Sequence, residues 1–532
     1  MFFYRDLRYY YTTLRKQLHF RPIAPYIPSL KRQGFTAQFD KNASFEIFFC
    51  TRACYNEEIK RSWKGGAVMR RTSADKTGIF TTMPIGRALS IMALPTIASQ
   101  LITLIYNITD TWFIGRTNDP FMVSAASMVS TVFLMIITLS NIYGMGGGNE
   151  VVSLLGKNDR EEARKVASRS LFMAAAASLV FSLLLLVFMD PLLRFLGASD
   201  NNIVYARQYL LVVVVLGTLP TVLSGTMSFM LRNVGQSGPS AFGLMFAGIL
   251  NMILDPIFMF VLLPHGYEVL GAAIATFLSN IASLVYYIVI YRRLDGQTVL
   301  ELPRRREKIR RESLRSIYSV GLPAGLAILF FDLTNMMLNR MCSFHGEAAL
   351  AAMGIVLRVE RFPLNVGIGI CLGMTPLVAF NHAAGDRQRR DAFFRRARTA
   401  GLIVSLVSVV LYRIFAADLI RAFIHDPETV RYGTQILQAR CFATPVMFLS
   451  FHMVHFMQAV KKGGVSFWLA FIRQLCLNIP LLLLLHSLYG MTGLVWTQAV
   501  ADLINVLISY VIYYFVRRRL DAGIPGSAGH LT

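Results

Sequence analysis

The stretch Ala93–Gly115, ALPTIASQLITLIYNITDTWFIG, decides the fold class of this chain. It is a run of about 20 mostly apolar residues, which is long enough to cross the hydrocarbon core of a bilayer as a helix. Its one ionisable residue is Asp110. A carboxylate at the centre of a spanning helix costs about 2.5–3.5 kcal/mol on insertion scales, which favours a functional role. The alternative is that Asp110 lies at the membrane interface and only solvates the helix end.

The composition extends this interpretation to most of the chain. Of the 532 residues, 55% are hydrophobic, and the mean hydropathy is +0.50. Apolar runs of about 18 residues or more recur, which is typical of a polytopic membrane protein. The net charge of +23 would suggest nucleic acid for a soluble protein. Here Lys and Arg fall mostly between the apolar runs, so we expect a lipid bilayer and no nucleic acid as partner.

The region 1–82 differs from the rest of the chain, because it is basic and aromatic and has no apolar run long enough to span a bilayer. We expect an N-terminal extension that is disordered or lies upstream of the true start, with Met69 or Met83 as alternative first residues. A soluble N-terminal domain is the other interpretation. Cys50 and Cys54 have no partnering Cys or His cluster, so no zinc site is expected.

Twelve apolar segments follow the extension and predict an all-α integral membrane protein. Lys and Arg concentrate in alternate loops and in the long run 292–315, so both termini and this loop are predicted to be cytoplasmic. The predicted spans are 87–113, 121–145, 168–189, 203–231, 240–263, 268–291, 316–342, 348–380, 396–416, 430–459, 465–488 and 491–516.

The chain also repeats itself with a period of roughly 225 residues, as an internal duplication would produce. Ala93-Leu-Pro95 in the first span matches Gly321-Leu-Pro323 in the seventh, and Gly271-Ala-Ala matches Gly493-Leu-Val. Six helices per half is an even number, so two pseudo-symmetric six-helix bundles insert in the same orientation and meet at a central cleft. The predicted divisions are an N-lobe over 83–291, a basic linker over 292–315, a C-lobe over 316–516 and a tail over 517–532.

The fifth span contains a pattern that is typical of a cation site. Asn251 and Asp255 are four residues apart and therefore share one helix face, and Pro256 frees a backbone carbonyl one turn back. Protons and Na⁺ both bind oxygen groups of this kind. Asp110, with Asn107 one turn away, would supply a second carboxylate if spans 1 and 5 face each other. The alternative is a buried aspartate that closes a proline kink.

The second half of the chain does not repeat these carboxylates. Arg358 and Glu360 can form a local pair near a helix end, and His452 and His455 are expected to be packing residues rather than ligands. The secondary candidates for ion or substrate binding are Asp332, Glu360, Arg358 and Arg473, with Asp502 as a further polar residue in the twelfth span.

The energy source is predicted to be an ion gradient. Gly144-Met-Gly-Gly-Gly148 is expected to end a helix and lacks the Lys-Ser/Thr of a phosphate-binding loop, so ATP is not expected. We expect no organic cofactor and no enzymatic activity, with H⁺ or Na⁺ as coupling ion. Pro95, Pro256 and Pro323 are candidate bending points, because proline frees backbone groups that re-pair on a kink.

The order and spacing of several motifs resemble the multidrug and toxic compound extrusion (MATE) family, in its bacterial branch of DinF- and MepA-like proteins. The resemblance covers about residues 80 to 520. The motifs that carry it are Ala93-Leu-Pro95, Thr109-Asp110-Thr-Trp-Phe-Ile-Gly115, Asn251-Met-Ile-Leu-Asp255-Pro256, Gly271-Ala-Ala-Ile-Ala-Thr276, Gly321-Leu-Pro323, Pro376-Leu-Val-Ala-Phe-Asn381 with Gly385, Arg473-Gln474, and Gly493-Leu-Val-Trp496 with Asp502.

The resemblance implies a secondary active exporter in the bacterial plasma membrane that exchanges lipophilic, often cationic compounds for H⁺ or Na⁺ by alternating access. It implies a coupling site at Asp110, Asn251 and Asp255, with Thr276 as a weaker candidate. Some relatives carry an acid in the seventh span, near the position of Asp332. We expect the transporter to act as a monomer. The alternatives are a lipid-linked oligosaccharide flippase of related architecture and a multispan membrane enzyme that uses His452 or His455 as a base.

Overall fold

The computed structural model describes residues 78–302 and 308–522, with side chains to position 520. The described residues contain no β-strand. The expectations for the N-terminal extension before residue 78, including a start at Met69 and the absence of zinc at Cys50 and Cys54, lie outside the described residues.

The first half of the described chain forms six apolar helical segments, which we name spans 1 to 6. Spans 4 and 5 each contain a π-helical stretch. A short helix, Gly78–Thr81, precedes span 1, and another, Met189–Phe195, follows span 3. Span 1 is Ile85–Gly115, span 2 is Pro120–Gly156, span 3 is Arg160–Val187, span 4 comprises Ile203–Tyr209, Leu210–Leu216 and Thr218–Asn233, span 5 comprises Ser237–Ile257 and Phe258–Leu262, and span 6 is Glu268–Leu294.

The second half forms spans 7 to 12 in the same manner. A single 3₁₀ turn, Ser343–His345, links the first two of these, and a π-helical stretch again interrupts span 11. Span 7 is Arg311–Cys342, span 8 is Glu347–Ala383, span 9 is Arg387–Arg421, span 10 comprises Pro427–Arg440 and Ala443–Ala459, and spans 11 and 12 occupy Gly463–Phe471, Ile472–Asn478 and Ile479–Ala522.

Length and hydropathy alone identify nine spanning helices in the described residues, or ten when the bent pair Ile203–Leu216 and Thr218–Asn233 counts as one span. The segment Gly463–Leu520 counts there as one helix, but the chain reverses within it at Gly490, whose φ of 56° and ψ of −131° only glycine adopts without strain. Span 10 is not counted because it breaks between Arg440 and Ala443, so neither of its two helices is long enough alone to cross a membrane. When Gly463–Leu520 is divided at Gly490 and the two helices of span 10 are counted as one span, the described chain has the twelve spans that the sequence predicts.

The predicted helix end at Gly144–Gly148 is wrong, because span 2 continues to Gly156. These glycines lie in the middle of the helix and let neighbouring spans approach closely. A Cβ at Gly146 would overlap the carbonyl oxygen of Ile317 and would lie 3.0 Å from Gly321 Cα, so the two backbones meet there.

We expect Gly146→Ala to lower the free energy of unfolding by about 1–3 kcal/mol or more, because the added methyl group forces spans 2 and 7 apart. The matched control is Gly354→Ala in span 8, where a Cβ meets no atom within 4 Å. That control should be neutral or slightly stabilising, because alanine favours helix more than glycine does. Thermal unfolding in detergent measures both, and equal melting temperatures for the two variants would contradict the prediction.

Two predicted span starts also lie too late in the chain. Span 3 begins at Arg160 and span 9 at Arg387, each directly after an aspartate that caps the helix. Asp159 Oδ1 accepts a hydrogen bond from the backbone N–H of Glu162 at 3.2 Å, and Asp386 Oδ1 accepts one from Arg389 at 2.8 Å. The helices therefore continue beyond the apolar segments into polar turns that the caps stabilise.

The hydrophobic core differs between the two ends of the helix bundle. We name the end at which spans 1, 3, 5, 7, 9 and 11 begin the basic end, because the basic loops lie there. At the basic end, buried clusters combine residues of both halves, such as Phe80 with Phe380 and Leu154 with Ile317. At the opposite end each half has its own cluster, one within 114–273 and one within 338–495. The halves are thus packed together at the basic end and separate at the other.

Polar contacts reinforce the packing at the basic end. Lys461 in the loop after span 10 pairs with Glu150 in span 2, whose side chain is almost fully buried. Beside this pair, the Asn149 amide donates a hydrogen bond to the carbonyl of Gln458 at 2.6 Å. These contacts join the first half to the second and close the cleft from this end.

Candidate functional site

A cavity of about 520 Å³ lies between the two halves, and we name it the central cavity. Its wall combines aromatic and aliphatic side chains with amides and hydroxyls, the composition of a site for amphipathic small molecules. The wall residues used below come from spans 1, 4, 5, 6, 7, 8 and 10 and include Asn107, Arg232, Asn251, Thr276, Phe331, Asp332, Arg361 and His455.

Spans 5 and 6 bring the predicted Asn251, Asp255 and Thr276 together. The Asn251 amide donates hydrogen bonds to Asp255 Oδ1 at 2.9 Å and to Thr276 Oγ1 at 3.3 Å. Asp255 has no solvent-exposed surface, and Asn251 is buried. The spacing of four residues on one helix face produces the first contact, and the packing of span 6 on span 5 produces the second.

Asp110 in span 1 lies close enough to Asp255 for the two carboxylates to interact electrostatically. Span 1 packs along span 5, which explains this proximity. Tyr106 and Tyr209 also lie within electrostatic range of both carboxylates. We name Asp110, Asn251, Asp255 and Thr276 together the oxygen cluster.

Three buried oxygens of the oxygen cluster have no hydrogen-bond donor among the described residues: Asp110 Oδ1, Asn251 Oδ1 and Asp255 Oδ2. Buried acceptors without donors cost free energy unless a proton or a cation satisfies them. Carboxylate, amide and hydroxyl oxygens also suit a hard cation such as Na⁺. The donor set therefore fits either coupling ion.

The two carboxylates of the oxygen cluster lie behind the wall of the central cavity. Asn107, Asn251 and Thr276 line the cavity, whereas Asp110 and Asp255 are not among its lining residues. The amides and the hydroxyl thus stand between the two carboxylates and a molecule in the cavity. A change at the carboxylates can reach that molecule through these three side chains and through the helices that carry them.

The second half has its own buried polar network. Arg473 Nε donates to Asp502 Oδ1, and both side chains are almost completely buried. Gln498 donates to the other oxygen, Oδ2, of the Asp502 carboxylate at 2.6 Å. The Arg473 guanidinium also stacks over the Phe451 ring, 4.5 Å from its centroid. Arg473 therefore forms a buried ion pair within its own half, and its Nη2 has no acceptor among the described residues.

The predicted local pair between Arg358 and Glu360 is wrong. Residues two apart on a helix do not face each other. Glu360 instead pairs with Arg440 of span 10 through two hydrogen bonds of 2.9 and 3.0 Å. Arg358 is exposed to the second cavity described below and has no ion-pair partner among the described residues. Asp332 lies 3.9 Å from Arg361, a loose contact at the wall of the central cavity.

Of the two histidines of span 10, His452 packs in the core and His455 is part of the wall of the central cavity. His452 is buried between Phe394 and Phe448, and its Nε2 lies 3.1 Å from the Phe394 carbonyl. Nδ1 of His455 lies 2.8 Å from the carbonyl of Phe451, one turn earlier in its own helix.

The three candidate bending prolines lie inside helices. Pro95 and Pro323 are within continuous α-helices. Only Pro256 is followed directly by a change of helix type, the π-helical stretch Phe258–Leu262. Such π segments often occur at functional sites, and this one begins three residues after Asp255.

Several residues of the site were not among those predicted from the sequence. Tyr209 and Arg440 belong to it only because spans 4 and 10 bring them beside partners far away in the chain. Arg361 and Arg232 were recognisable as basic residues within apolar segments, a signal that marks functional residues in membrane helices.

The match to a family model agrees with this architecture. The MatE family model matches residues 95–257 and 323–484, which together are more than half of the chain. The two matched stretches begin at Pro95 and Pro323, the residues that the internal repeat aligns. The sequence resemblance is thereby confirmed.

Two curated relatives of this chain are multidrug export proteins. The multidrug export protein MepA of Staphylococcus aureus strain MSSA476 is 29% identical over 443 residues, which cover 83% of this chain and 96% of the relative. MepA of Staphylococcus haemolyticus is 27% identical over 441 residues, with the same coverage.

Among solved structures, a multidrug resistance MATE family transporter of the MOP superfamily in an outward-facing conformation superposes with a TM-score of 0.77 at 20% identity, covering 83% of this chain and 97% of that one. A MATE structure in the straight conformation gives a TM-score of 0.78 at 20% identity and covers 84% and 98%. The shared fold confirms the predicted class of twelve transmembrane helices in two six-helix bundles. This chain belongs to the MatE family of multi-pass membrane transporters, which use ion coupling and need no cofactor.

Proposed function

We propose that this chain is a multidrug efflux transporter that exports lipophilic, often cationic compounds in exchange for H⁺ or Na⁺. Its location is the cell membrane of a bacterium, with both termini and the 292–315 loop in the cytoplasm, and it acts as a monomer. The names of the relatives support export of drugs. The names of the relatives do not support the two alternative functions, a lipid-linked oligosaccharide flippase and a membrane enzyme.

The observation that carries this proposal is the oxygen cluster at the edge of the central cavity. Two acids, Asp110 and Asp255, lie near each other inside the helix bundle. Three oxygens of the cluster have no hydrogen-bond donor among the described residues and can bind a proton or a cation. Intramembrane acids of this kind mark ion pathways in transporters. We therefore assign the coupling ion to the oxygen cluster, with Asp332 as the alternative.

The arrangement of the cores suggests how exchange proceeds. With the basic end on the cytoplasmic side, the packed core there excludes the cytoplasm while the halves separate on the outside, which is the shape of a state that releases substrate. Binding of the ion lowers the negative charge of the oxygen cluster and favours a rearrangement around Pro95, Pro256 and Pro323. The opposite state opens when the basic-end contacts separate, including the ion pair of Glu150 with Lys461.

The ion gradient supplies enough free energy for this exchange. One charge moving down 100 mV releases roughly 2.3 kcal/mol, and one pH unit adds about 1.4 kcal/mol. One ion can therefore support a concentration ratio on the order of a hundred for a neutral substrate.

The test is substrate-dependent ion flux in proteoliposomes of the full-length protein. Ethidium and the zwitterionic dye rhodamine B are offered under a proton gradient and then under a sodium gradient. We expect one gradient to drive accumulation of at least one dye, and the effective gradient identifies the coupling ion. Accumulation of neither dye under either gradient would refute the proposal.

The predicted divisions of the chain become part of the same proposal. We assign the ion site to an N-lobe over 83–291 and a substrate-facing wall to a C-lobe over 316–516, joined by the linker. The internal repeat and the two separate matches of the family model support this division.

A further inference from the structure

A second cavity of about 330 Å³ adjoins the central cavity towards the end opposite to the basic end. The two cavities share Asn107, Phe331, Arg361 and Leu364 in their walls. We name the second cavity the arginine vestibule, because Arg358, Arg361 and Arg440 line it. It is formed by spans 1, 7, 8, 10 and 12 and is therefore a space between the two halves.

The charges of the arginine vestibule do not balance. Its wall contains three guanidinium groups and one carboxylate, Glu360, so the formal net charge is +2. Glu360 is already bound to Arg440 through two hydrogen bonds. Arg361 has only the loose 3.9 Å contact with Asp332, and Arg358 has no ion-pair partner among the described residues. Two guanidinium groups thus remain for a ligand.

The central cavity has the same sign of charge. Its lining residues include the guanidinium groups of Arg232 and Arg361, and Asp332 is the one carboxylate among those of the described chain. Arg232 is buried, and its Nε and Nη1 have no acceptor among the described residues. Asp110 and Asp255 belong to neither wall. Each carboxylate that a simple cation could reach in this space has an arginine beside it.

The remaining walls of the vestibule suit an elongated amphipathic molecule. Asn335 and Asn339 lie one turn apart on span 7 and offer amides, while Leu104, Leu357 and Met447 offer apolar surface. Guanidinium groups bind carboxylates and phosphates through paired hydrogen bonds, which makes arginine suitable for planar anionic groups. The aromatic and aliphatic wall of the adjoining central cavity can take an apolar body at the same time.

We propose that the arginine vestibule binds an acidic group of the substrate, a carboxylate, sulfonate or phosphate, while the apolar body of that substrate occupies the central cavity. This proposal rests on the proposed function and names anionic and zwitterionic amphiphiles as the substrate class that the arginine vestibule binds. Arg358 and Arg361 are the binding residues. Arg440 is a positioning residue that holds Glu360 away from the ligand.

The test is equilibrium binding to the full-length protein in phosphatidylcholine nanodiscs, measured by fluorescence anisotropy. Rhodamine B carries a free carboxylate, and its ethyl ester has the same rings without that acid. The carboxylate accepts charge-assisted hydrogen bonds from guanidinium groups, which the neutral ester does not, so we expect the acid to bind at least about tenfold more tightly than the ester. Arg358→Gln should weaken binding of the acid by a similar factor and leave binding of the ester unchanged.

Two further variants control for indirect effects. Arg340→Gln removes an exposed arginine near the C-terminal end of span 7. Arg340 does not line the vestibule, so this variant should bind both dyes as the wild type does. The double variant Arg361→Gln with Asp332→Asn removes a positive and a negative charge together and should still weaken the acid selectively. Equal affinities of the two dyes, no binding of either dye, or an equal loss of both in Arg358→Gln would overturn the proposal.

The acidic group could belong to an exported solute or to an anionic lipid. Repeating the measurement in phosphatidylglycerol-rich nanodiscs distinguishes these sources, since a lipid ligand would displace rhodamine B and a solute site would retain it. Because binding is measured without a gradient, the result is separate from the proteoliposome test. Gradient-driven ethidium transport together with no preference for the acid would preserve the proposed function and refute this inference.

Discussion

Asp110→Asn is expected to abolish ion-driven accumulation of substrate in proteoliposomes. The substitution keeps the size of the side chain and removes its charge and its exchangeable proton. Without the ion, the accumulation ratio of the net-neutral dye rhodamine B should fall from on the order of a hundred to about one. The measurement is dye uptake under whichever gradient drives the wild type, at equal amounts of reconstituted protein.

The control for Asp110→Asn is Asp119→Asn, in the loop before span 2. Asp119 caps that helix by accepting a hydrogen bond from the backbone N–H of Phe121 at 2.8 Å, and asparagine can do the same. The control should transport as the wild type does, and Asp255→Asn should resemble Asp110→Asn. Undiminished transport in Asp110→Asn would place the coupling site elsewhere, with Asp332 as the next candidate.

Arg473→Leu is expected to lower the free energy of unfolding by about 3–5 kcal/mol, because it leaves the Asp502 carboxylate buried without its cation. Asp502 has no exposed surface, and the Gln498 amide alone cannot neutralise its charge. The stacking contact with Phe451 is lost as well. Thermal unfolding in a mild detergent, supported by denaturation in SDS, measures the change.

The double variant Arg473→Leu with Asp502→Leu separates the cost of an unpaired charge from the loss of packing. Replacing both partners of a buried pair by apolar groups is often neutral or stabilising, so most of the loss should be recovered. If single and double variants unfold at the same temperature, the unpaired carboxylate is not the cause. Because the pair lies in the second half, the apparent affinity for the coupling ion should stay unchanged in any variant that remains folded.

Some features of this protein follow from local sequence alone. The length and hydropathy of each apolar segment predict a spanning helix, because a bilayer leaves backbone groups no partners except their own helix. The contact between Asn251 and Asp255 also follows from the sequence, since residues four apart share a helix face. The residue types Asp, Asn and Thr predict an oxygen site before any fold is known.

Helix ends were the least predictable local feature. Spans 2, 3 and 9 extend beyond their apolar segments, because caps and tight interhelical packing stabilise polar or glycine-rich turns. Considered without the rest of the chain, the glycines of span 2 predict a helix end. They are helical because Gly146 meets the backbone of span 7, a contact between distant parts of the chain.

The number of spans, the duplication and the chemistry available to the intramembrane residues all follow from the order of residues along the chain. The packing of the spans places Asp110 near Asp255 and pairs Glu360 with Arg440 rather than with Arg358. It also leaves the charges of two arginines without a matching carboxylate between the halves. The physical reason is that helical spacing fixes neighbours within about one turn, whereas contacts between spans depend on how each helix is rotated and packed against the others.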